Sequence, residues 1–275
     1  MKTLRIPFTI LCVLAISALS ANAAQLATAK VLEVMGTVTK YAANGGKGPL
    51  KAGDILTQGD EISASALSSA KLVFSNGSEL TIEENTSVDI TKLEQASFSS
   101  SQSYEQLQAD PSKSQTLLNL NYGKLNGHVK KLQSGSTFMV ETQLGTAAIR
   151  GTQFSVELRY NATRGEFELT VNNFDGLVDI ISQFGGKIDF SGKQAVDVGY
   201  DNNSGQETSP IPAQRKITIR ISRGDPAFDA LFSLVKNYIP TEQTPGWIQL
   251  PAPEITPEDP GVTIVSPEDQ NVAID

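Results

Sequence analysis

Residues 138–156 carry the sequence FMVETQLGTAAIRGTQFSV. Apolar and polar residues alternate over 154–160, which predicts a strand with one buried face. Two shorter strands are predicted before it, with a tight turn at Gly145. Gly151 interrupts a strand-like run, which indicates a bulge or a close approach of two backbones. The two Ala side chains at 147–148 fit the same crowded place.

Alternation broken by turn residues extends over residues 29–221. A first strand is predicted over 31–41. Residues 71–82 form a hairpin around Asn76-Gly77, a dipeptide that supplies the two positive-φ positions of a type I′ turn. Further strands are predicted at 86–93, 167–171, 177–181, 187–190 and 195–198. Many short, closely spaced strands predict an all-β fold, either a sandwich or a short solenoid-like body.

Three segments depart from this pattern. Residues 95–115 are rich in Ser and Gln, which predicts a flexible surface insertion. Residues 225–239 predict one C-terminal amphipathic helix, with Asp225 as N-cap and Pro226 in the first turn. Its predicted buried face consists of Phe228, Leu231, Phe232 and Val235. Residues 240–275 are Pro-rich and acidic, which is typical of an extended linker or a partner-binding strip.

The first residues indicate export. Lys2 and Arg5 precede an apolar run over 6–19, and Ala21-Asn22-Ala23 has the small residues of a cleavage site. This pattern predicts a signal peptide over residues 1–23. The run is shorter than the roughly 20 residues that a spanning helix needs, so we expect cleavage and no transmembrane anchor afterwards; an uncleaved anchor is the alternative. Cys12, the one cysteine, lies inside this segment, which leaves the mature chain without thiol chemistry.

The charge of the chain restricts its partners. The net charge is −8, and removal of residues 1–23 with their two cations would make it −10. Nucleic acids and anionic membranes bind clusters of Lys and Arg. Neither is therefore expected as a partner.

The order of residues in 138–156 resembles the signature of FecR-like domains, the extracytoplasmic part of iron-dicitrate-type transport regulators. The family pattern is approximately V-x-T-P-x-G-x-A-A-V-R-G-T-x-F-x-V. The matching positions here are Val140, Thr142, Gly145, Ala147, Ala148, Arg150, Gly151, Thr152, Phe154 and Val156. Gln143 and Ile149 stand where the family usually has Pro and Val.

Two further blocks resemble the same family, and the resemblance covers roughly residues 30–200. The first contains Gly53-Asp54, Gly59-Asp60 and, further on, Gly77. The second is the Asp-Gly-Leu-Val stretch at 175–178. The resemblance implies recognition of a protein or ligand outside the cytoplasmic membrane. Typical regulators also have a cytosolic segment that holds a sigma factor; the predicted signal peptide takes its place here, so that role does not carry over.

Arg150 is the charged residue within the signature turn. Its guanidinium would hold a carboxylate of a ligand or of a partner. Alternatively, its five donors would satisfy backbone carbonyls that the break at Gly151 leaves free. The small neighbours predict a buried turn, so we expect the structural role.

The other residues that could bind a metal or act in catalysis are expected to have structural roles. Asp54 and Asp60 would offer two carboxylates to a cation, but hard cations need several oxygens from one short loop, so turn capping is expected. The Asp-Asn-Asn-Ser-Gly segment at 201–205 is expected to be an exposed turn. His128 is the single histidine and has no nucleophile in a motif with it. We therefore expect no catalytic residues, no metal ligands and no cofactor.

These features predict a non-catalytic binding, sensing or assembly module in the periplasm, at the cell surface or secreted. Its partner would be a protein or a small ligand. The alternative is a structural or adhesive component of the cell envelope, attached through its tail. A sensing module should bind a specific soluble partner, whereas an envelope component should fractionate with insoluble material.

Export makes a direct prediction. Because the cleavage site follows Ala23, the mature protein should begin near Ala24 or Gln25. Mass spectrometry of the protein purified from its native compartment checks this. A soluble cytosolic species that retains Met1 would contradict it.

Overall fold

The computed structural model describes residues 25–182, 208–211 and 213–241. Its strands are β1 (Gln25–Leu26), β2 (Ala29–Met35), β3 (Val38–Tyr41), β4 (Lys47–Pro49), β5 (Ile55–Leu56), β6 (Glu61–Ala64), β7 (Ser69–Phe74), β8 (Glu79–Ile82), β9 (Thr86–Gln95), β10 (Ser114–His128), β11 (Thr137–Thr142), β12 (Gly145–Arg150), β13 (Gln153–Asn161), β14 (Glu166–Asn173), β15 (Leu177–Ser182), β16 (Thr208–Ile211) and β17 (Arg215–Ser222). The α-helix of this part of the chain is α1 (Pro226–Val235).

Several predicted features lie outside the described residues. These are the signal peptide at 1–23, the strands at 187–190 and 195–198, the turn at 201–205 and the tail beyond residue 241.

Two hydrogen-bonded ladders share β10, which at 15 residues is the longest strand described. The first ladder has the spatial order β4-β3-β6-β9-β10-β11-β12-β15-β16, with β1 also paired to β9. The second has the order β5-β2-β7-β8-β10-β13-β14-β17. The result is a curled, mainly antiparallel sheet, which confirms the all-β prediction.

The two halves of β10 form hydrogen bonds with different strands. The first half pairs with β9 and, over residues 115–119, in parallel with β11. From Gly123 onward the strand pairs with β13 and β8. Parallel neighbours need a crossover of a dozen or more residues. Residues 120–136 provide it, because they include the second half of β10 and a loop at 129–136 that returns the chain to β11.

The core follows the predicted alternation. In β13, Phe154, Val156, Leu158 and Tyr160 are buried, while the Glu and Arg between them are partly exposed. Aromatic side chains connect the signature to the first hairpin. The ring of Phe138 lies 5.5 Å from that of Phe74 and 6.1 Å from that of Phe154.

Two details of the predicted strands are wrong. The first predicted strand, 31–41, is two strands: it breaks after β2 at Gly36, and β3 joins the other ladder. The hairpin of β7 and β8 forms as predicted, but only Gly77 of the Asn-Gly pair has positive φ. The backbone N–H of Phe74 donates to the Ser78 carbonyl, and the backbone N–H of Gly77 donates to the Phe74 carbonyl. The loop therefore has three residues and ends in a left-handed glycine rather than forming a type I′ turn.

Helix α1 forms and packs through the predicted face, but it ends at Val235 rather than at residue 239. The Asp225 side chain accepts a hydrogen bond from the backbone N–H of Ala227, which caps the helix. The predicted face is buried, and the ring of Phe228 lies 5.2 Å from that of Phe167 and 6.4 Å from that of Tyr160. The helix therefore closes the core beside β13 and β14.

This packing predicts different losses of stability when two large apolar side chains of the same helix are truncated. Phe228→Ala should reduce the free energy of unfolding by about 3–5 kcal/mol, because it leaves a cavity beside the rings of Tyr160 and Phe167. Leu234→Ala should change it by less than about 0.5 kcal/mol, since Leu234 is 57% exposed. Urea denaturation measures both. Similar values for the two variants would show that the helix does not pack as described.

Candidate functional site

The signature forms the β11–β12 hairpin and the start of β13. The Thr142 hydroxyl closes the hairpin turn: it donates to the Gly145 carbonyl at 2.9 Å and accepts from the backbone N–H groups of Leu144 and Gly145. The turn residues are therefore 143–144, and Gly145 is the first residue of β12 rather than the turn itself. Strand β12 pairs with β11 on one side and β15 on the other, which leaves Ala147 buried in the core.

Gly151 lies in the turn between β12 and β13, with φ of +61°. This turn contacts the turn before β15, the third block of the resemblance. A Cβ atom added to Gly176 would come within 2.6 Å of the Gly151 carbonyl oxygen and 2.9 Å of Thr152 Cβ. The predicted close approach of two backbones is therefore present, and it involves a second glycine.

Polar groups fasten the two turns together. The Thr152 hydroxyl lies 2.9 Å from Asn173 Oδ1 and 3.1 Å from Asp175 Oδ1, and the backbone N–H of Gln153 donates to the same Asp175 oxygen at 2.6 Å. Asn173 in turn donates to the carbonyls of Gly176 and Ile211. The hydrogen bond from Gln153, with that from Thr152, holds the pKa of Asp175 below its usual value.

Arg150 is exposed, and the expectation of a buried structural clamp is wrong. Its side chain retains 66% of its accessible surface, and its guanidinium lies 3.7 Å from Asp179 Oδ2 on the neighbouring strand β15. At this distance and exposure, the ion pair contributes little to stability. The guanidinium is therefore available to a molecule that approaches this surface.

A cavity of about 620 Å³ opens beside Arg150. It lies between the loop 129–136, the start of β11 and the end of β12. Its lining combines apolar side chains, three hydroxyl groups and two cations. The lining residues are Lys131, Leu132, Gln133, Ser134, Gly135, Ser136, Thr137, Phe138, Met139, Ala148, Ile149, Arg150 and Gly151.

The cavity loop is held by a residue that the sequence analysis assigned to the flexible insertion. Asp110 is buried, and its carboxylate accepts hydrogen bonds from Ser114 Oγ at 2.9 Å and from Gln95 Nε2 at 3.3 Å. Its backbone N–H donates to the carbonyl of Lys131. On the other side of the loop, the backbone N–H of Val129 donates to the carbonyl of Thr152. The loop is thus joined to the insertion and to the signature.

The insertion makes further contacts with the sheet. Lys30 forms an ion pair with Glu105 at 2.9 Å, and hydrogen bonds from the backbone N–H of Glu105 itself and from Lys30 lower the pKa of Glu105 to about 2. Leu107 is buried against Gly77 of the first hairpin. In the sequence of residues 95–115, the Asp-Pro dipeptide at 110–111 is the one feature that an ordinary polar loop would not have.

The upstream aspartates lie in turns outside the cavity lining. Asp54 accepts a hydrogen bond from the backbone N–H of Lys51, next to Gly53, and Asp60 accepts one from Thr57, next to Gly59. Each bond spans three residues, which is the geometry of a side chain that caps a turn. Burial raises the pKa of Asp60, but hydrogen bonds from Thr57 and Lys40 outweigh this and lower it overall.

His128 ends β10 and lines a second, smaller cavity of about 380 Å³ together with Phe154 and Phe174. Within residues 25–182, 208–211 and 213–241, no group of three His, Cys, Asp or Glu side chains is placed to hold a metal ion. The same part of the chain has no helix with the length and apolar character needed to span a membrane.

Residues 60–178 match the family model described as FecR protein. This segment is a FecR domain. The match contains the signature, the first hairpin and the Asp-Gly block before β15. It starts at Asp60, so Gly53 and Asp54 of the upstream block precede it.

Two solved structures match part of the chain. A crystal structure of a candidate anti-sigma factor from Parabacteroides distasonis ATCC 8503, at 1.65 Å resolution, is 14% identical, with a TM-score of 0.35, and the match covers 57% of this chain and 53% of that one. A second structure with the same description, at 2.50 Å, has the same identity and coverage and a TM-score of 0.36. The chain thus spans about half the length of these structures. No curated protein sequence matches it significantly.

Because the two turns of the FecR domain pack together, substitution of two glycines by alanine should lower the free energy of unfolding by different amounts. Gly176 (φ +75°) and Gly53 (φ +90°) both have positive φ, but a Cβ atom meets the backbone of Gly151 only at Gly176; at Gly53 nothing lies within 4 Å. Gly176→Ala should therefore reduce the free energy of unfolding by about 1–3 kcal/mol more than Gly53→Ala does. Chemical denaturation of the two variants checks this. Equal losses would show that only the backbone conformation matters and that the turns do not pack together.

Proposed function

We propose that this protein is a non-catalytic, extracytoplasmic recognition module whose FecR domain binds a protein partner at the surface around Arg150. A FecR domain is a module of regulatory proteins, so binding in the service of sensing or regulation fits this family. The observation that carries the proposal is the exposure of Arg150 at the rim of the cavity. An arginine that the fold does not use, placed beside an apolar recess, is an arrangement suited to binding.

The surroundings of Arg150 support a protein as the partner. Leu177, the first residue of β15, is 40% exposed. It pairs with Arg150 itself across β12 and β15. An exposed aliphatic side chain next to an arginine, beside an apolar recess, is an arrangement that protein interfaces use.

The chemistry of the cavity supports binding rather than catalysis. Its lining residues include hydroxyl groups but no carboxylate, imidazole or thiol. A hydroxyl nucleophile needs a neighbouring base to activate it, and His128 lies in the other cavity. The function that this lining supports best is therefore contact with another molecule.

The proposed location outside the cytoplasm rests on the N-terminal pattern and on the family. Lys2, Arg5, the apolar run and the Ala-Asn-Ala site form a signal peptide pattern. The regulators that the signature resembles carry this domain on the extracytoplasmic side.

The proposal predicts that Arg150 matters for binding but not for folding. Arg150→Ala should change the free energy of unfolding by less than about 0.5 kcal/mol, because the side chain is exposed and its ion pair is long. A photo-crosslinking amino acid at Gln133, on the cavity loop, should capture a discrete partner in cells, and Arg150→Glu should reduce the yield about tenfold or more.

Two controls make this experiment specific. The same crosslinker at Leu67, which is 87% exposed, should not capture that partner. Charge reversal at Arg164, which is 53% exposed in the turn between β13 and β14, should leave the yield at Gln133 unchanged. Identical adducts from both positions, or a yield insensitive to Arg150→Glu, would refute the proposed interface.

A further inference from the structure

The acidic charge of the chain is concentrated in one segment. Residues 242–275 contain seven Asp and Glu residues and no Lys, Arg or His. The whole chain carries −8, so residues 1–241 have a net charge of only −1, or −3 without residues 1–23. A nearly neutral body is thus followed by a strongly anionic segment.

This segment contains a short repeat. Ile255-Thr-Pro-Glu-Asp259 and Val265-Ser-Pro-Glu-Asp269 begin ten positions apart. Each copy has an apolar β-branched residue, a hydroxyl residue and a proline, followed by two adjacent carboxylates. A ligand with this chemistry needs an apolar recess with cations at its edge. Proline lowers the entropy that such a peptide loses when it binds in an extended form.

The cavity beside Arg150 has these properties. Leu132 and Met139 contribute apolar side chains, while Arg150 and Lys131 contribute two cations to its lining. A third cation lies close by, because a Cβ atom added to Gly135 of the lining would be 3.6 Å from Lys113 Nζ. The lining itself contains no acidic side chain.

These cations have few partners in the described part of the chain. Neither Lys131 nor Lys113 forms an ion pair there, and Arg150 has only the 3.7 Å contact with Asp179. The nearest buried carboxylate, Asp110, accepts its hydrogen bonds from Ser114, Gln95 and the backbone of Gln133. The positive charge at the cavity is therefore available to an anionic ligand.

We propose that the Pro-Glu-Asp repeats of residues 255–269 bind in this cavity within the same molecule. The proposal rests on the proposed function, because it makes the recognition surface around Arg150 one that the chain itself covers. A partner would then compete with the tail for the cavity.

The length of the chain allows this contact. Ser266 follows Thr241, the last described residue, by 25 positions, which span up to roughly 80 Å when extended. A domain of this size is roughly 45 Å across. The tail therefore reaches any point on the body, and preferential contact with the cavity requires attraction rather than tether geometry.

Engineered cysteines test the proposal in the full chain. Cys12 is the one native cysteine and is replaced by Ser. One variant carries Ser134→Cys on the cavity loop with Ser266→Cys beside the second repeat. A matched control carries Thr163→Cys with Ser266→Cys; residue 163 follows the far end of β13, a strand of nine residues that is about 30 Å long. Rates of disulfide formation are divided by the reactivity of each thiol in the corresponding single-cysteine variant.

The cavity pair should form an intramolecular disulfide about tenfold faster than the control pair, because binding raises the effective concentration of the tail at the cavity. Neutralisation of the repeats (E258Q, D259N, E268Q and D269N together) should remove this advantage, and so should Arg150→Gln with Lys131→Gln. Arg164→Gln should leave it unchanged. High salt should also reduce it.

Three results would overturn the inference: equal rates for the two pairs, a cavity rate insensitive to the charge variants, or disulfide-linked dimers in place of the intramolecular product. The last would identify a second copy as the occupant. Fast tail crosslinking without partner capture at Gln133 would refute the proposed function alone. Partner capture with equal disulfide rates would refute the tail contact alone.

Discussion

The hydrogen bonding of β10 is the constraint on which the rest of this structure depends. A strand has two edges, and β10 uses both edges twice: its first half joins β9 to β11, and its second half joins β8 to β13. The change occurs at Gly123, where an added Cβ atom would lie 2.2 Å from Thr86 Oγ1, so no larger residue fits. Because one strand serves two ladders, their buried faces must turn toward each other.

The position of the cavity follows from the same strand. Since β11 runs parallel to the first half of β10, the chain has to travel back along the sheet between them, and the loop at 129–136 is the last part of that path. This loop passes beside Gly151, the residue after β12, and the recess lies between the loop, the start of β11 and the end of β12. Asp110 and Thr152 hold its two sides through hydrogen bonds to the backbone. The signature thus has a structural half, formed by Thr142, Ala147 and Phe154, and an exposed half at Arg150.

Local patterns were sufficient where a short segment decides its own structure. The alternation in β13, the β7–β8 hairpin and the capped helix α1 agree with the predictions, because period, turn residues and N-cap all act within a few positions. The predictions were wrong where distant contacts decide. Asn76 does not adopt positive φ, and its side chain instead accepts from Ser78 and donates to Ser114, a strand away. Apart from the Asp-Pro dipeptide, the residues around 110 did not indicate that Asp110 holds the cavity loop, since its partners come from β9, β10 and the loop itself.

Arg150 shows most clearly the difference between what a local sequence pattern predicts and what contacts between distant segments decide. Residues 138–156 by themselves determined two short strands, a break at Gly151 and a further strand, because side-chain size and alternation restrict the backbone locally. They also suggested a buried arginine, since its neighbours are small. Only the tertiary structure decided that the arginine faces outward: the pairing of β12 between β11 and β15 directs Ala147 and Ile149 into the core and leaves residue 150 at the strand end, beside the crossover loop. Which face of a strand meets solvent depends on its neighbours in the sheet, and no local pattern contains them.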